Sequence, residues 1–273
     1  ALLDSIKRWY NGYRFSKKEL KIYNPFSILL FFTNLEFQNY WFETGTPTFL
    51  LDLTRKSNYD IRDIQKVILS SRGFNSYDVE KIPLLPLLFN TGYLTIAEAQ
   101  QRREQLDFLL DYPNDEVRIS FLEQFVDYAS ADGASARNYV RVLTDCLNND
   151  DLEQFVEVMR SFLAGMPYDL QAPNRNIEAY YQSIVYCIMK LVGYETSAEE
   201  RTNRGRIDLV VEGTNSLYIV EMKVDKPAAE AIEQIKKRGY CEKYRLASKK
   251  LTLVGLSFSS AERNLKEYEV ETV

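Results

Sequence analysis

The densest group of residues able to do chemistry lies between positions 206 and 223, in the stretch RIDLVVEGTNSLYIVEMK. Two β-rich runs flank Gly213-Thr214-Asn215-Ser216, a turn-forming quartet, so the spacing predicts a hairpin. Closed symmetrically on Thr214-Asn215, it pairs Ile207 with Met222, Leu209 with Val220 and Val211 with Tyr218, one apolar face. The same register sets Asp208 opposite Glu221 on the other face, with Cβ atoms roughly 4.5–5.5 Å apart. Lys223 lies two residues beyond Glu221 and therefore shares that face.

Like charges directly opposite one another destabilise a sheet, so this arrangement calls for a compensating group. Two readings fit. In the first, a divalent cation such as Mg²⁺ sits between the acids, with water and a substrate phosphate completing its oxygen shell. Lys223 then positions or deprotonates an attacking water, or offsets charge in the transition state. In the second, Asp208, Glu221 and Lys223 form a salt-bridge cluster at a strand end. A loop one residue longer or shorter would put the acids on opposite faces, so the chemistry depends on register.

Composition narrows the choice. The chain has no histidine, which excludes Ser-His-Asp triads, Cys-His proteases, HExxH zinc sites and any histidine general base. Cys146, Cys187 and Cys241 are odd in number and widely spaced, so neither a zinc site nor a disulfide framework is expected, and a cytoplasmic location is. The longest apolar runs, 26–32 and 82–89, fall well short of the ~20 residues that span a bilayer. The N-terminal ALLDSIKRWYNGY lacks a secretion signal's apolar core and begins without Met, reading as a fragment or processed chain. No GxxxxGK[ST] phosphate loop occurs, so ATP is not expected on this chain.

Charge is unevenly shared. Residues 171–273 carry 16 Lys and Arg against 15 Asp and Glu, while the remainder carries 18 against 24. The stretch 236–250 holds seven basic residues and one acid, Glu242. It reads either as a solvated helix face or as a footprint for nucleic-acid phosphates.

The elements that must position these groups follow from periodicity. Residues 1–168 read as mostly helical. Asn24-Pro25 caps a helix through 35, and Thr46-Pro47 opens another to about 55. Short strands are expected at 92–96 and 106–110, then a helix capped by Asn114 with Val117, Phe121, Phe125 and Tyr128 on one face. Helices at 134–148 and 151–164 follow. Gly165-Met166-Pro167 and Ala172-Pro173-Asn174 mark a boundary. Beyond it come a helix at 176–191, strands at 206–212, 217–223 and 251–257, and a helix before the last strand. The aromatic residues Trp9, Tyr10, Tyr13, Phe15, Tyr40, Trp41 and Phe42 suit core or domain packing better than base stacking, given the acidic balance around them.

Asp208, a gap, then Glu221-Met222-Lys223 resembles the D…(D/E)xK core of the PD-(D/E)XK nuclease superfamily. TNRGRIDLVV (202–211), QIKKRGY (234–240) and LVGLSF (253–258) resemble the branch of that superfamily fused to AAA-ATPase-like domains. WYNGYRF (9–15), YNPF (23–26) and YWFETGTP (40–47) resemble the region that follows the ATPase core there.

The resemblance implies an α+β chain. A mostly helical region, 1–168, precedes a restriction-endonuclease-like α/β domain, 169–273, with a central mixed sheet flanked by helices. It implies Asp208, Glu221 and the Met222 carbonyl as ligands of Mg²⁺ or Mn²⁺, with Lys223 acting on the water. Glu178, in IEAYYQ (177–182), matches an acid beside the metal; a first-turn acid favoured by the helix dipole is the plain alternative. Gln234 matches a position flanking the substrate phosphates and joins the catalytic group. Lys236, Lys237, Arg238, Tyr240 and Lys243 are the implied nucleic-acid contacts, with Tyr240 as a core residue the alternative. Many relatives carry a histidine near position 182, where this chain has Gln182.

The expected activity is metal-dependent phosphodiester hydrolysis, on DNA rather than RNA because most of the superfamily acts on DNA. The expected partners are nucleic acid, no membrane, and either a second copy of the chain or an upstream ATPase segment. The competing expectation is an inactive module of the same fold that binds nucleic acid or protein.

Overall fold

The computed structural model describes residues 1–41, 60–74, 84–102, 105–129, 136–149, 151–166, 177–213 and 215–273. They divide into two units, Ala1–Gln124 and Phe125–Val273. The helix expected at 46–55, Phe42 and the boundary residues 167–176 lie outside the described residues.

In the first unit, helix α1 (Leu2–Tyr10) leads into a short ribbon of β1 (Asn11–Tyr13) and β2 (Ile22–Tyr23), then α2 (Pro25–Asn34). Asn24 caps α2 as its sequence suggests: the side-chain oxygen accepts from Phe26 N at 3.0 Å, with Pro25 in the first turn. Tyr10, Phe31 and Tyr40 pack with Ile6 in a buried cluster, so these aromatic rings serve the core. Strand β3 (Val67–Ser70), the single turn α3 (Ser71–Phe74) and α4 (Leu84–Asn90) precede the hairpin of β4 (Thr95–Arg102) and β5 (Gln105–Asp111). The sheet has three strands in the order β3-β5-β4 rather than the two expected, because β3 pairs with β5. Helix α5 (Asp115–Ala129) is capped by Asn114, whose Oδ1 accepts from Val117 N at 3.0 Å. It buries Val117, Phe121 and Leu122, whereas Phe125 and Tyr128 are only half-buried.

The second unit takes in the end of α5 and then α6 (Ala136–Asn148), α7 (Leu152–Ala164) and α8 (Ile177–Val192). Every residue of α8 from Tyr181 to Met189 is buried, the pattern of a helix covered on all sides. A five-stranded mixed sheet follows, built from β6 (Glu195–Thr202), β7 (Gly205–Glu212), β8 (Ser216–Val224), β9 (Lys250–Ser259) and β10 (Asn264–Thr272). Its order is β10-β9-β8-β7-β6, with β8 and β9 parallel and the other pairs antiparallel. The parallel pair is joined through α9 (Ala228–Lys237) and the 3-10 turn Tyr240–Tyr244. Ala228, Ala231, Ile232 and Ile235 form the buried stripe of α9, and its isoleucines pack with Val210, Leu217, Ile219 and Leu253 of the sheet.

Gly255 is what allows α9 to lie so close. A Cβ there would stand 2.5 Å from the Ala228 carbonyl oxygen and 3.2 Å from Ala231 Cβ. Gly255 is also the partner of Glu221 across β8 and β9, so the helix is drawn in beside the acid. No helix among the described residues is long and apolar enough to cross a membrane.

Candidate active site

The β7–β8 hairpin has the expected register: Leu209 pairs with Val220, Val210 with Ile219, Val211 with Tyr218 and Glu212 with Leu217. Gly213 N donates to Ser216 O at 2.8 Å, as a two-residue closure requires; Thr214 lies outside the described residues. The ladder stops before position 208. There Asp208 Oδ2 accepts a hydrogen bond from Met222 N at 2.8 Å, so a side-chain carboxylate takes the place of a backbone acceptor. Glu221 meanwhile stays paired with β9.

Glu221 is 2% exposed. Its Oε1 accepts from Lys223 Nζ at 3.0 Å and, in a short hydrogen bond, from Gln234 Nε2 on α9. Its Oε2 is buried with no hydrogen-bond partner, a costly state for an ionised oxygen. Burial first, and the charge of Asp208 second, push the Glu221 carboxyl above the ordinary carboxylate range; Lys223 opposes both. Burial likewise raises Asp208, against the Met222 N–H and the Lys223 charge. The two acids thus share a low-dielectric pocket in which both resist ionisation, the condition that a bound cation relieves.

Glu178 stands in the first turn of α8, and its charge raises both Asp208 and Glu221. Gln182 Nε2 donates to Glu178 Oε1 at 3.4 Å, so the glutamine orients the acid from one helical turn away. Asp208, Glu221, Lys223, Glu178 and Gln234 are therefore brought together from two strands and two helices. Among the described residues no group of three or more Cys, Asp or Glu side chains is arranged to hold a metal ion by itself. Any cation here would need backbone or solvent oxygen as well, and the Met222 carbonyl is the backbone donor in sequence reach.

The expected nucleic-acid contacts do not converge in the same way. Lys236 Nζ pairs with Glu271 at 2.5 Å and Lys243 pairs with Glu200. Tyr240 is 2% exposed, and its hydroxyl donates to Arg206 O at 2.7 Å. Arg238 Nη1 donates to Arg204 O at 2.8 Å, and Lys237 is exposed.

One acid escaped the sequence reading. Ala198 pairs with Leu209 and Glu200 with Ile207, which places Glu199 abreast of Asp208 on β6. Glu199 has φ 52, a left-handed conformation that is strained for this residue type. Its charge raises Asp208, and its Oε2 pairs with Arg206 Nη1 at 2.9 Å. The only signal was a charged run, EERTNRGR, in a segment too polar to read as a strand.

An uncharacterized protein in the vnfD 5′ region of Azotobacter chroococcum mcd 1 is 34% identical over 274 residues, covering 99% of this chain and 53% of the relative. The chain thus spans about half the length of that relative. No solved structure matches the chain. Residues 176–268, which supply Glu178, Asp208, Glu221, Lys223 and Gln234, match the model of the PD-(D/E)XK nuclease superfamily, and this domain has the α/β PD-(D/E)XK fold.

Proposed function

We propose that residues 169–273 form a divalent-metal-dependent nuclease domain that hydrolyses phosphodiester bonds, with DNA as its substrate. The observation that carries this reading is Glu221 Oε2, a buried and unpartnered oxygen in a carboxylate that shares its pocket with Asp208. The donor set of two carboxylates with a neighbouring carbonyl suits Mg²⁺ or Mn²⁺, hard cations that take oxygen ligands. When bound, such an ion neutralises the paired acids, acidifies a water and offsets charge gathering on the phosphate.

The chain's own residues divide the remaining work. Asp208, Glu221 and the Met222 carbonyl would hold the ion. Lys223, on the same face as Glu221, would position the attacking water or, in its neutral form, deprotonate it. Gln234 fixes the orientation of Glu221, and Glu178 would add negative charge to the site. Lys237 and Arg238, exposed at the end of α9, would meet phosphate. On this reading residues 1–168 correspond to the region that follows an AAA-ATPase-like core.

The ion pair of Lys223 with Glu221 favours a second reading, in which the cluster is closed and the domain binds nucleic acid without cleaving it. Incubation of duplex DNA with the protein and Mg²⁺ separates the two. Cleavage by wild type that is lost in Glu221→Ala and Lys223→Ala, with folding unchanged, supports the enzyme. Equal activity in all three places the cleavage elsewhere.

A further inference from the structure

The turn between β6 and β7 carries an unusual concentration of arginine. Arg201 and Arg206 are direct partners across the two strands, so their side chains leave the same face of the sheet, and both are exposed. Arg204 is exposed at the tip. Like charges directly opposite one another on a sheet are destabilising. Arg206 is offset by Glu199, and Arg204 by a loose pair with Glu242 at 3.7 Å, whereas Arg201 forms no ion pair with a described residue. Positive charge is thus left over here; in the 236–250 stretch Lys236, Lys243 and Lys249 are each matched to a glutamate, while Lys237, Arg245 and Lys250 form no ion pair with a described residue.

The turn is also held in place. Thr202 Oγ1 donates to Gly205 O at 3.1 Å and accepts from Arg204 N at 3.2 Å. Tyr240 latches Arg206 O and Arg238 latches Arg204 O from the end of α9. The Tyr240 latch requires a glycine beside it, since a Cβ on Gly205 would lie 2.8 Å from the Tyr240 hydroxyl. Tyr244 OH donates to Glu200 Oε1 at 2.5 Å, which ties β6 to the same 3-10 turn. A rigidly mounted row of guanidinium groups suits a fixed array of phosphates better than it suits a mobile protein tail.

Position completes the case. Arg206 precedes Asp208 by two residues on one strand, so it stands on the same face about 7 Å away along the chain. We propose that the β6–β7 turn, through Arg201, Arg204 and Arg206, is the surface that grips the nucleic-acid backbone flanking the phosphate presented to Asp208 and Glu221. Arg206 exchanges Glu199 for a phosphate when the strand arrives. This inference rests on the nuclease reading for the location of that phosphate, and it is tested separately from it.

The test is fluorescence anisotropy of a labelled duplex DNA across a salt series, with Ca²⁺ in place of Mg²⁺, for wild type, Arg201→Ala, Arg204→Ala, the double variant and Arg201→Lys. Each arginine that neutralises a phosphate contributes about 0.9 to the slope of log affinity against log salt. The double variant is expected to lose about 1.8 from that slope and to bind more weakly at every salt concentration, whereas Arg201→Lys keeps its share. Unchanged affinity and slope in the double variant overturn the inference. If wild type cleaves DNA while the slope is indifferent to these arginines, this surface is wrong and the nuclease reading stands. Arginine-dependent retention of DNA without cleavage or cation binding has the opposite meaning. Wild type that retains no duplex even at low salt sinks both.

Discussion

Each unit of the molecule contains a fully buried glutamate with a carboxyl that resists ionisation, yet the two are built for different ends. Glu116, in the first turn of α5, is 0% exposed, and Glu221 on β8 is 2% exposed. Glu116 Oε1 accepts from Tyr40 N and Trp41 N, both at 3.0 Å. Burial raises its carboxyl to about 7, and those backbone N–H groups pull it back. Its position at a helix N-terminus favours negative charge. It pins a distant loop to α5 and has no acid set against it in its pocket.

Glu221 is hemmed in differently. A second acid, Asp208, adds to the effect of burial, and a lysine and a glutamine amide converge on one of its oxygens; the other has no partner, a feature it shares with Glu116 Oε2. Burial alone therefore does not mark a functional carboxylate. What separates the two glutamates is the company of a like charge that the fold tolerates only if something else offsets it.

The largest effects should appear in activity and only at Glu221. Glu221→Gln keeps the shape and the contact with Lys223 but removes the charge, and DNA cleavage should fall by about a thousandfold or more. Thermal stability of this variant at neutral pH should stay close to wild type, because the amide replaces a carboxyl that already resists ionisation there. Lys223→Ala should cost about a hundredfold to ten-thousandfold in the same assay. Loss of stability in Glu221→Gln without loss of cleavage would collapse the contrast with Glu116.

At Glu116 the expected effect is on stability. Glu116→Ala leaves two buried N–H groups without an acceptor and should destabilise the protein by about 3 kcal/mol in denaturant titration. Cleavage per folded molecule should be unchanged. Titration gives a second handle. Below pH 4.5 the carboxyl is protonated in both folded and unfolded chains. Between 4.5 and about 7 only the folded chain keeps the proton, so stability falls as pH rises through that window. Relative to Glu116→Gln, which cannot titrate, wild type should lose about 3 kcal/mol across it. A difference that is flat with pH would mean Glu116 is already ionised when folded.

The smallest effect is predicted for the glutamine that steadies Glu221. Gln234→Ala should weaken Mn²⁺ binding by about ten- to a hundredfold, as loss of a ligand's hydrogen-bonding support does, without abolishing it. Isothermal titration checks this. Affinity for Mn²⁺ should also rise with pH in every variant that retains Asp208 and Glu221, since protons compete for carboxyls held above their ordinary range.

Much of the site was legible because strand alternation and turn composition determine which side chains meet. The pairing of Leu209 with Val220 and Val211 with Tyr218 followed from closing the hairpin on Thr214-Asn215, and it placed Asp208 beside Glu221. Asn24 and Asn114 likewise announced their helices through capping chemistry. The outer strands β6, ETSAEERT, and β10, NLKEYEVET, did not announce themselves. An edge strand meets solvent along one side and carries the charged residues that discourage further pairing, so it lacks the apolar signature of β7 to β9. Without β6 there was no way to see Glu199 beside Asp208 or Arg201 opposite Arg206. Lysines at 236, 243 and 249 illustrate the complementary limit: local charge density was plain, but their partners Glu271, Glu200 and Glu212 are distant in sequence.

The most direct measurement is a crystal structure of the protein soaked with Mn²⁺, read by anomalous scattering. The account predicts one ion touching Asp208 and Glu221 Oε2, with Lys223 Nζ moved off Glu221 toward solvent. Lys223 and Gln234 still closed on Glu221, with no ion between the two acids at saturating Mn²⁺, would contradict it.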